Sequence, residues 1–274
     1  MEEKGSSAGA EQICRNQEEI DMRLYEVTFS PTGGTQKAAD ILAEALGGWA
    51  VPVDLTDSGA DVSRIALTAE DLAVIAGPSY GGRVPGAAAE RLGQLRGGGA
   101  RAVLVCVYGN RAYEDTLVEL EDAARAADFR VTAAVAAIAE HSIFREYAAG
   151  RPDEADRAQL QAFAGRILEK LSAGAEEAPR IPGCRPYKNA GGGGMVPEPG
   201  SGCGACGLCA EKCPVQAIDR EDPRQVDKDR CISCMRCVRI CPQAARTVDP
   251  VRMETVRTAL KKVCSVRREN ELYL

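Results

Sequence analysis

Eight of the chain's 12 cysteines stand in two short runs. The first is Cys203-Gly-Ala-Cys206-Gly-Leu-Cys209-Ala-Glu-Lys-Cys213-Pro214, and the second is Cys231-Ile-Ser-Cys234-Met-Arg-Cys237-Val-Arg-Ile-Cys241-Pro242. Both read C-x2-C-x2-C-x3-C-P, a thiolate spacing that ligates 4Fe-4S clusters. Three cysteines two residues apart let one loop wrap a cube and reach three of its irons. The fourth follows a helical turn later, points away from that cube and reaches its neighbour, and the proline stops the helix. This spacing predicts one cluster on Cys203, Cys206, Cys209 and Cys241 and a second on Cys231, Cys234, Cys237 and Cys213. Structural zinc uses two C-x2-C pairs and has no use for a third evenly spaced cysteine. Disulfides suit an oxidising compartment, whereas no charged-then-apolar signal opens this chain. Cys14, Cys106, Cys184 and Cys264 lack ligand spacing, and Cys106 sits in an apolar run as small core filler.

A second set of residues suits an anion and a flat ring. Leu24 to Phe29 reads as a strand that runs into Ser30-Pro31-Thr32-Gly33-Gly34-Thr35, followed by Ala38, Ile41, Leu42, Ala45 and Leu46 at helical spacing. Strand, hydroxyl- and glycine-rich loop, then helix is an arrangement that holds a phosphate on backbone N–H groups. A later strand exits into Gly77-Pro78-Ser79-Tyr80-Gly81-Gly82, and another into Tyr108-Gly109-Asn110-Arg111. Tyrosine stacks on planar rings and glycine lets backbone come close to them. Aromatic residues are only 4% of the chain, so two tyrosines at strand exits stand out. His141, the single histidine, follows the fifth strand. It is a candidate proton donor to a reduced flavin or a substrate, against the plainer reading of a packed loop histidine.

These residues need a scaffold. Strand-like runs at Leu24 to Phe29, Trp49 to Leu55, Leu72 to Gly77, Ala102 to Val107 and Val131 to Ala139 alternate with helical patterns. The clearest helices are Pro85 to Leu95, the face Tyr113, Leu117, Leu120, Ala124 and Ala127, and the stripe Leu160, Phe163, Ala164, Ile167, Leu168 and Leu171. Alternation implies crossover connections, hence an α/β fold with a five-stranded, doubly wound parallel sheet and ligands beyond the carboxyl ends of its strands. Residues 1–22 read as a mobile tail and 23–173 as the α/β domain. Residues 174–202 are a Pro- and Gly-rich linker in which Pro182 to Tyr187 suit packing on a domain face. Residues 203–248 form the small α+β cluster module, whose Cys213-Pro214 and Cys241-Pro242 halves repeat each other. Residues 249–274 are a helix with Met253, Val256, Leu260 and Val263 on one side, then a basic tail whose charges suit a solvated face.

Two resemblances follow from these motifs. Residues 203–242 resemble a bacterial two-cluster ferredoxin. Ser30-x-Thr32-Gly33-x-Thr35 is similar to the flavodoxin phosphate loop, S/T-x-T-G-x-T. That resemblance implies FMN, with its phosphate on Ser30, Thr32, Gly33, Gly34 and Thr35. Its isoalloxazine ring would lie between Pro78, Ser79, Tyr80, Gly81 and Gly82 and Tyr108, Gly109 and Asn110. Neither loop holds a tryptophan; Trp49 is the only one. From residue 24 to 274 the chain resembles flavodoxin–ferredoxin fusion proteins.

The expected function is electron transfer between the clusters and a flavin, working with redox partner proteins. A flavin-dependent reductase of a small-molecule acceptor and a flavin-free iron–sulfur sensor or scaffold are the alternatives. The formal charge of -6 and a pI near 5.2 argue against nucleic acid. No apolar stretch approaches the ~18 residues of a membrane span, and cysteine usage suggests the cytoplasm. No G-x-G-x-x-G fingerprint argues for direct NAD(P)H use.

Overall fold

The computed structural model describes residues 22–175, 177–191 and 194–274. The expected tail, with Cys14, lies outside the described residues except for Met22. From residue 24 the chain lays down β1 (Leu24–Thr28), α1 (Gly34–Gly47), β2 (Val51–Asp54), β3 (Leu72–Pro78), α2 (Gly86–Leu92), β4 (Arg101–Tyr108), α3 (Thr116–Ala126), β5 (Arg130–Ile138) and α4 (Glu154–Ser172). These strands pair in parallel in the order β2-β1-β3-β4-β5. That is the flavodoxin-like doubly wound order, with its switch point between β1 and β3. Parallel strands covered on both faces need apolar side chains on both. Leu-Ala-Val-Ile-Ala-Gly-Pro of β3 is accordingly buried throughout. One apolar layer joins Val27, Ile75 and Leu104 to Leu92 of α2 and Leu117 and Leu120 of α3. The other joins Leu72, Val74 and Val103 to Leu42 of α1 and Leu160 and Ile167 of α4. Asp153 starts α4 with a capping box, accepting from the Asp156 N–H at 3.1 Å.

The cluster module contributes β6 (Glu198–Pro199), α5 (Leu208–Glu211), α6 (Arg236–Arg239) and β7 (Arg246–Thr247), with β6 antiparallel to β7. The two helices are the single turns within the cysteine runs. α7 (Pro250–Cys264) follows, capped by Asp249, with Pro250 at its first turn. β8 (Glu271–Tyr273) then returns to the first domain and lies antiparallel on β5, Leu272 opposite Val135. The sheet therefore has six strands, not the expected five. Three residues of tail carry no period that marks a strand; the open edge of β5 supplies the partner.

The two halves are packed together rather than loosely tethered. Phe144 and Tyr147 after β5, Met195 of the linker, Met235 of the second cysteine run and Cys264 of α7 form one buried cluster. Met253, Val256 and Leu260 pack on it. Val263, expected on the same side of α7, is 45% exposed instead; Cys264, four residues after Leu260, takes the buried position at the end of that stripe. The linker is strapped to α3 and the chain before it. Arg185 pairs with Asp122, Lys188 with Glu114, and the Asp115 carboxylate accepts from the N–H of Cys184 and Lys188. The basic tail is likewise not simply solvated: Arg267 pairs with Asp153 and Arg257 with Glu146.

Behind the tail lies a buried polar knot. Asp156, fully buried, accepts from Arg151 Nε at 2.8 Å, from the Asp153 N–H at 2.9 Å and from Asn270 Nδ2 at 3.0 Å. Arg151 also donates to the carbonyl of Arg268 at 2.8 Å. Asn270 Oδ1 in turn accepts from the N–H of Ile138 at 2.9 Å, fixing the register of β8.

Candidate functional site

The loops after β1, β3, β4 and β5 converge on one side of the sheet and line a cavity of about 260 Å3. Thr32, Gly34, Thr35, Pro78, Ser79, Tyr80, Gly81, Tyr108 and Gly109 of the expected site line it, together with His141. The phosphate loop is shaped by its own polar side chains. Ser30 Oγ accepts from the Gln36 N–H at 2.9 Å, while the Ser30 N–H donates to Thr56 Oγ1 at 2.7 Å. The N–H groups of Thr32, Gly33, Gly34 and Thr35 donate to no acceptor among the described residues. Gly33 stands at φ +91° with open space where a Cβ would project. Four free donors at a helix start, with room in front, fit a phosphate.

Several expected contacts are used inside the chain. Asn110 is buried; its Nδ2 donates to the carbonyls of Cys264 and Val266 at 2.7 and 2.8 Å, and its Oδ1 accepts from the Arg268 N–H at 3.1 Å. Asn110 thus holds the tail, and its side chain is not free for a ligand. Gly82 fits against the Glu114 side chain, which a Cβ would meet at 1.8 Å. Gly81 faces the carbonyl of Gly191, which a Cβ would meet at 1.9 Å, so its lack of a side chain serves the linker strap. The Tyr108 ring packs on Tyr113 at 5.2 Å and on Ala136 and Ile138, while both Tyr80 and Tyr108 line the cavity. Trp49 is 80% exposed and outside the cavity.

His141 is held as a neutral ring. Its Nδ1 accepts from the N–H groups of Ile143 and Phe144 at 3.1 and 3.2 Å, which places the proton of the neutral form on Nε2. Gly109 lies so close that a Cβ there would meet the imidazole at 2.7 Å. Burial, helped by Arg111 and opposed by Glu146, lowers the His141 pKa to about 4. At neutral pH it can donate a hydrogen bond from Nε2, but it does not store a proton. The unfolded chain binds a proton that the folded chain refuses, so this group's contribution is lost as pH falls from about 6.5 toward 4. Glu26 works the other way: burial and Asp40 raise it to about 7. His141→Gln keeps an acceptor for the two N–H groups. We expect wild type to lose about 2 kcal/mol relative to this variant between about pH 7.5 and pH 5, read from urea midpoints. Glu26 is common to both proteins and cancels. A difference flat in pH would show that the ring is solvated.

The other side of the cavity comes from the second cysteine run, the linker and α7, which no motif or periodicity foretold. Ile232 and Ser233 of the second cysteine run, Met195 of the linker, and Arg252, Val256 and Leu260 of α7 complete its wall. A neighbouring void of about 20 Å3 is lined by Cys213 of the first run together with Cys231, Cys234 and Cys237 of the second. Ile232 lines both spaces. Among the described residues no group of three or more His, Cys, Asp or Glu is arranged to hold a single metal ion; these four thiols stand around a void instead. In the other half, Arg246 is 2% exposed and donates from Nε to Cys209 Sγ at 3.2 Å and from Nη1 to the Pro197 carbonyl at 3.3 Å. The N–H groups of Ala217 and Ala245 donate to Cys213 and Cys241 Sγ, each at 3.3 Å. Cys184 is exposed, and Cys106 and Cys264 are buried.

Known proteins are similar to parts of the chain. The 4Fe-4S dicluster domain family matches residues 202–245. Trichloroethene reductive dehalogenase of Dehalococcoides mccartyi is 38% identical over 55 residues, 15% of this chain and 10% of that protein. The chain thus spans about a tenth of the curated relative it matches. Among solved structures, rubredoxin oxygen:oxidoreductase of Desulfovibrio gigas is similar at TM-score 0.36 and 15% identity, over 56% of this chain and 36% of that one. A flavodoxin of Streptococcus pneumoniae is similar at TM-score 0.36 and 20% identity, over 54% of this chain and 98% of that one. The strand order carries the fold assignment of the first half. Among the described residues no helix is long and apolar enough to cross a membrane. The chain joins an α/β domain of flavodoxin-like strand order to a ferredoxin-type 4Fe-4S dicluster domain.

Proposed function

We propose that the protein carries electrons between two 4Fe-4S clusters and an FMN held at the carboxyl edge of its sheet. The single observation that carries this reading is the shared wall. Ile232, between two cysteines of the second run, lines both the thiol-walled void and the cavity in front of the phosphate loop. Cys203, Cys206, Cys209 and Cys241 would hold the first cluster, and Cys231, Cys234, Cys237 and Cys213 the second. The loop from Ser30 to Thr35 would hold the phosphate, and Tyr80 would face the ring. Bound there, iron–sulfur cubes supply one-electron steps and a flavin supplies one- or two-electron steps.

The residues' own contributions are distinct. Arg246 places a buried positive charge and a hydrogen bond on a ligand sulfur of the first cluster, which favours its reduced form. Phe144, Met195, Val256 and Leu260 exclude water from the cavity. His141 holds a neutral Nε2–H at its edge. The packed linker fixes the spacing of the centres, rather than setting an effective concentration through a loose tether.

Anaerobic purification followed by iron, sulfide and flavin analysis tests the proposal. We expect about eight irons and one FMN per chain, and a flavin that bleaches when electrons are fed through the clusters. Tetrahedral zinc in place of iron overturns the proposal outright. A full complement of iron with no flavin, even after incubation with FMN, leaves the sensor or scaffold reading.

One observation favours the reductase alternative. The Arg252 guanidinium lines the cavity and makes no ion pair or side-chain hydrogen bond among the described residues. Such a group suits a carboxylate or phosphate on a small acceptor. Oxidation of the reduced protein by one member of a panel of organic acids, lost in Arg252→Gln, would select that reading.

A further inference from the structure

We infer that the second cysteine run supplies the cations for the anionic end of the flavin, so that the phosphate is held by both halves of the chain at once. This rests on the flavin reading above and adds a partner to it. The first observation is a contact. Arg236, between Cys234 and Cys237, donates from Nη1 to the Pro31 carbonyl of the phosphate loop at 3.3 Å. Its Nε is buried and has no hydrogen-bond partner.

The second observation is a space. A cavity of about 330 Å3 lies between Thr32, Gly33, Gly34 and Lys37 on one side and Met235, Val238 and Arg239 on the other. Its other charged groups are Glu140, Arg145 and Arg151. Arg145 is paired with Glu140 and Arg151 with Asp156. Lys37 and Arg239 have no ion pair among the described residues, so two cations face the loop's unused N–H groups. Ser233, in the same run, is 5% exposed; its Oγ is buried without a hydrogen-bond partner, and the residue lines the neighbouring cavity of about 260 Å3 rather than this one.

Two unpaired cations, Lys37 and Arg239, and the free N–H groups of Thr32, Gly33 and Gly34 line one opening and fit a phosphate dianion; Arg236 stands next to it, on the Pro31 carbonyl and at the wall of the thiol-lined void. They do not fit a neutral ring. α6 is a single turn, and Arg236 and Arg239 flank Cys237, so the cluster ligands themselves position both arginines. Flavin binding and integrity of the second cluster are then thermodynamically linked, each strengthening the other.

The test uses the cluster-loaded full chain, wild type and the double variant Arg236→Gln/Arg239→Gln. Dissociation constants for FMN and riboflavin are measured anaerobically, since the two ligands differ by the phosphate alone. We expect wild type to prefer FMN strongly. The variant should lose FMN affinity about 10- to 100-fold, from hydrogen bonds to a charged group, while riboflavin affinity and iron content stay unchanged. Arg236→Lys/Arg239→Lys should recover part of the loss.

Equal weakening of both ligands would show that the arginines only shape the module, and would overturn the inference. So would an unchanged preference for FMN. Wild type that binds neither ligand would overturn the flavin reading itself, and this inference with it. Loss of iron from the glutamine variant moves the decision to the lysine pair, where FMN preference must again track charge and fork geometry.

Discussion

Cys213→Ser should halve the iron content, to about four per chain, and it should do so at the expense of the second run's cluster. Cys213 stands with Cys231, Cys234 and Cys237 around one void, although it belongs to the first run. Serine offers no comparable thiolate, so that cluster is lost or loses its fourth ligand. Pairs of variants decide the crossing. If the ligands cross, adding Cys234→Ser to Cys213→Ser removes nothing further, whereas adding Cys203→Ser removes the remaining iron. If each run fills its own site, the two outcomes exchange. Iron analysis with electron paramagnetic resonance of the reduced protein reads both. A functional consequence follows from the same geometry. None of Cys203, Cys206, Cys209 and Cys241 lines the cavity in front of the phosphate loop, where the flavin is proposed to sit, or the void beside it. With Cys213→Ser, electrons delivered to the surviving cluster should reach the flavin far more slowly, which stopped-flow bleaching would show. Unaltered bleaching would mean that the cluster nearest the flavin is not on the route.

The second large effect is on stability. Asp156→Ala leaves Arg151, 4% exposed, as a buried guanidinium without its carboxylate. Removing one partner of a buried ion pair costs about 3–5 kcal/mol, and the capping box of α4 adds about 1 kcal/mol. Whole domains are stable by about 5–15 kcal/mol. With a urea slope of about 2 kcal/mol/M, the midpoint should fall by about 2 M. Asn270 also loses its 3.0 Å bond to Asp156, so the amide protons of residues 271–273 should exchange faster than those of β3. Arg151→Met/Asp156→Leu removes both charges and should recover much of the loss. A midpoint shift below about 0.5 M for Asp156→Ala would mean that water reaches the guanidinium and the knot is not buried in solution.

Four of the five parallel strands, β1, β3, β4 and β5, were legible because each is a short run buried almost throughout, and burial leaves a largely apolar signal; the edge strand β2 is half exposed. Leu72 to Gly77 is found as Leu72–Pro78, and Ala102 to Val107 as Arg101–Tyr108. The phosphate loop was legible because its hydroxyls and glycines are contiguous. What the sequence hid depends on partners far along the chain. Asn110 looks like a loop residue facing a ligand; only the position of Cys264 and Val266, more than 150 residues on, turns its amide inward. Tyr113 reads as the start of a helical face, yet α3 begins at Thr116 and the Tyr113 hydroxyl meets that of Tyr273 at 2.7 Å. Ser233, Arg236 and Arg239 sit among cluster ligands, so the chemistry of those cysteines masks a second task. The one available hint was charge: arginines recur inside the second run, whereas the first has a single lysine.

β8 has a consequence for the order of assembly. Leu272 is in register with Val135, and both cysteine runs lie on the stretch between them. A ribosome releases residues in sequence, so the last seam of the first domain closes only after every cluster ligand has emerged. Until both cysteine runs have been made, the β5 border therefore stays open to other strands.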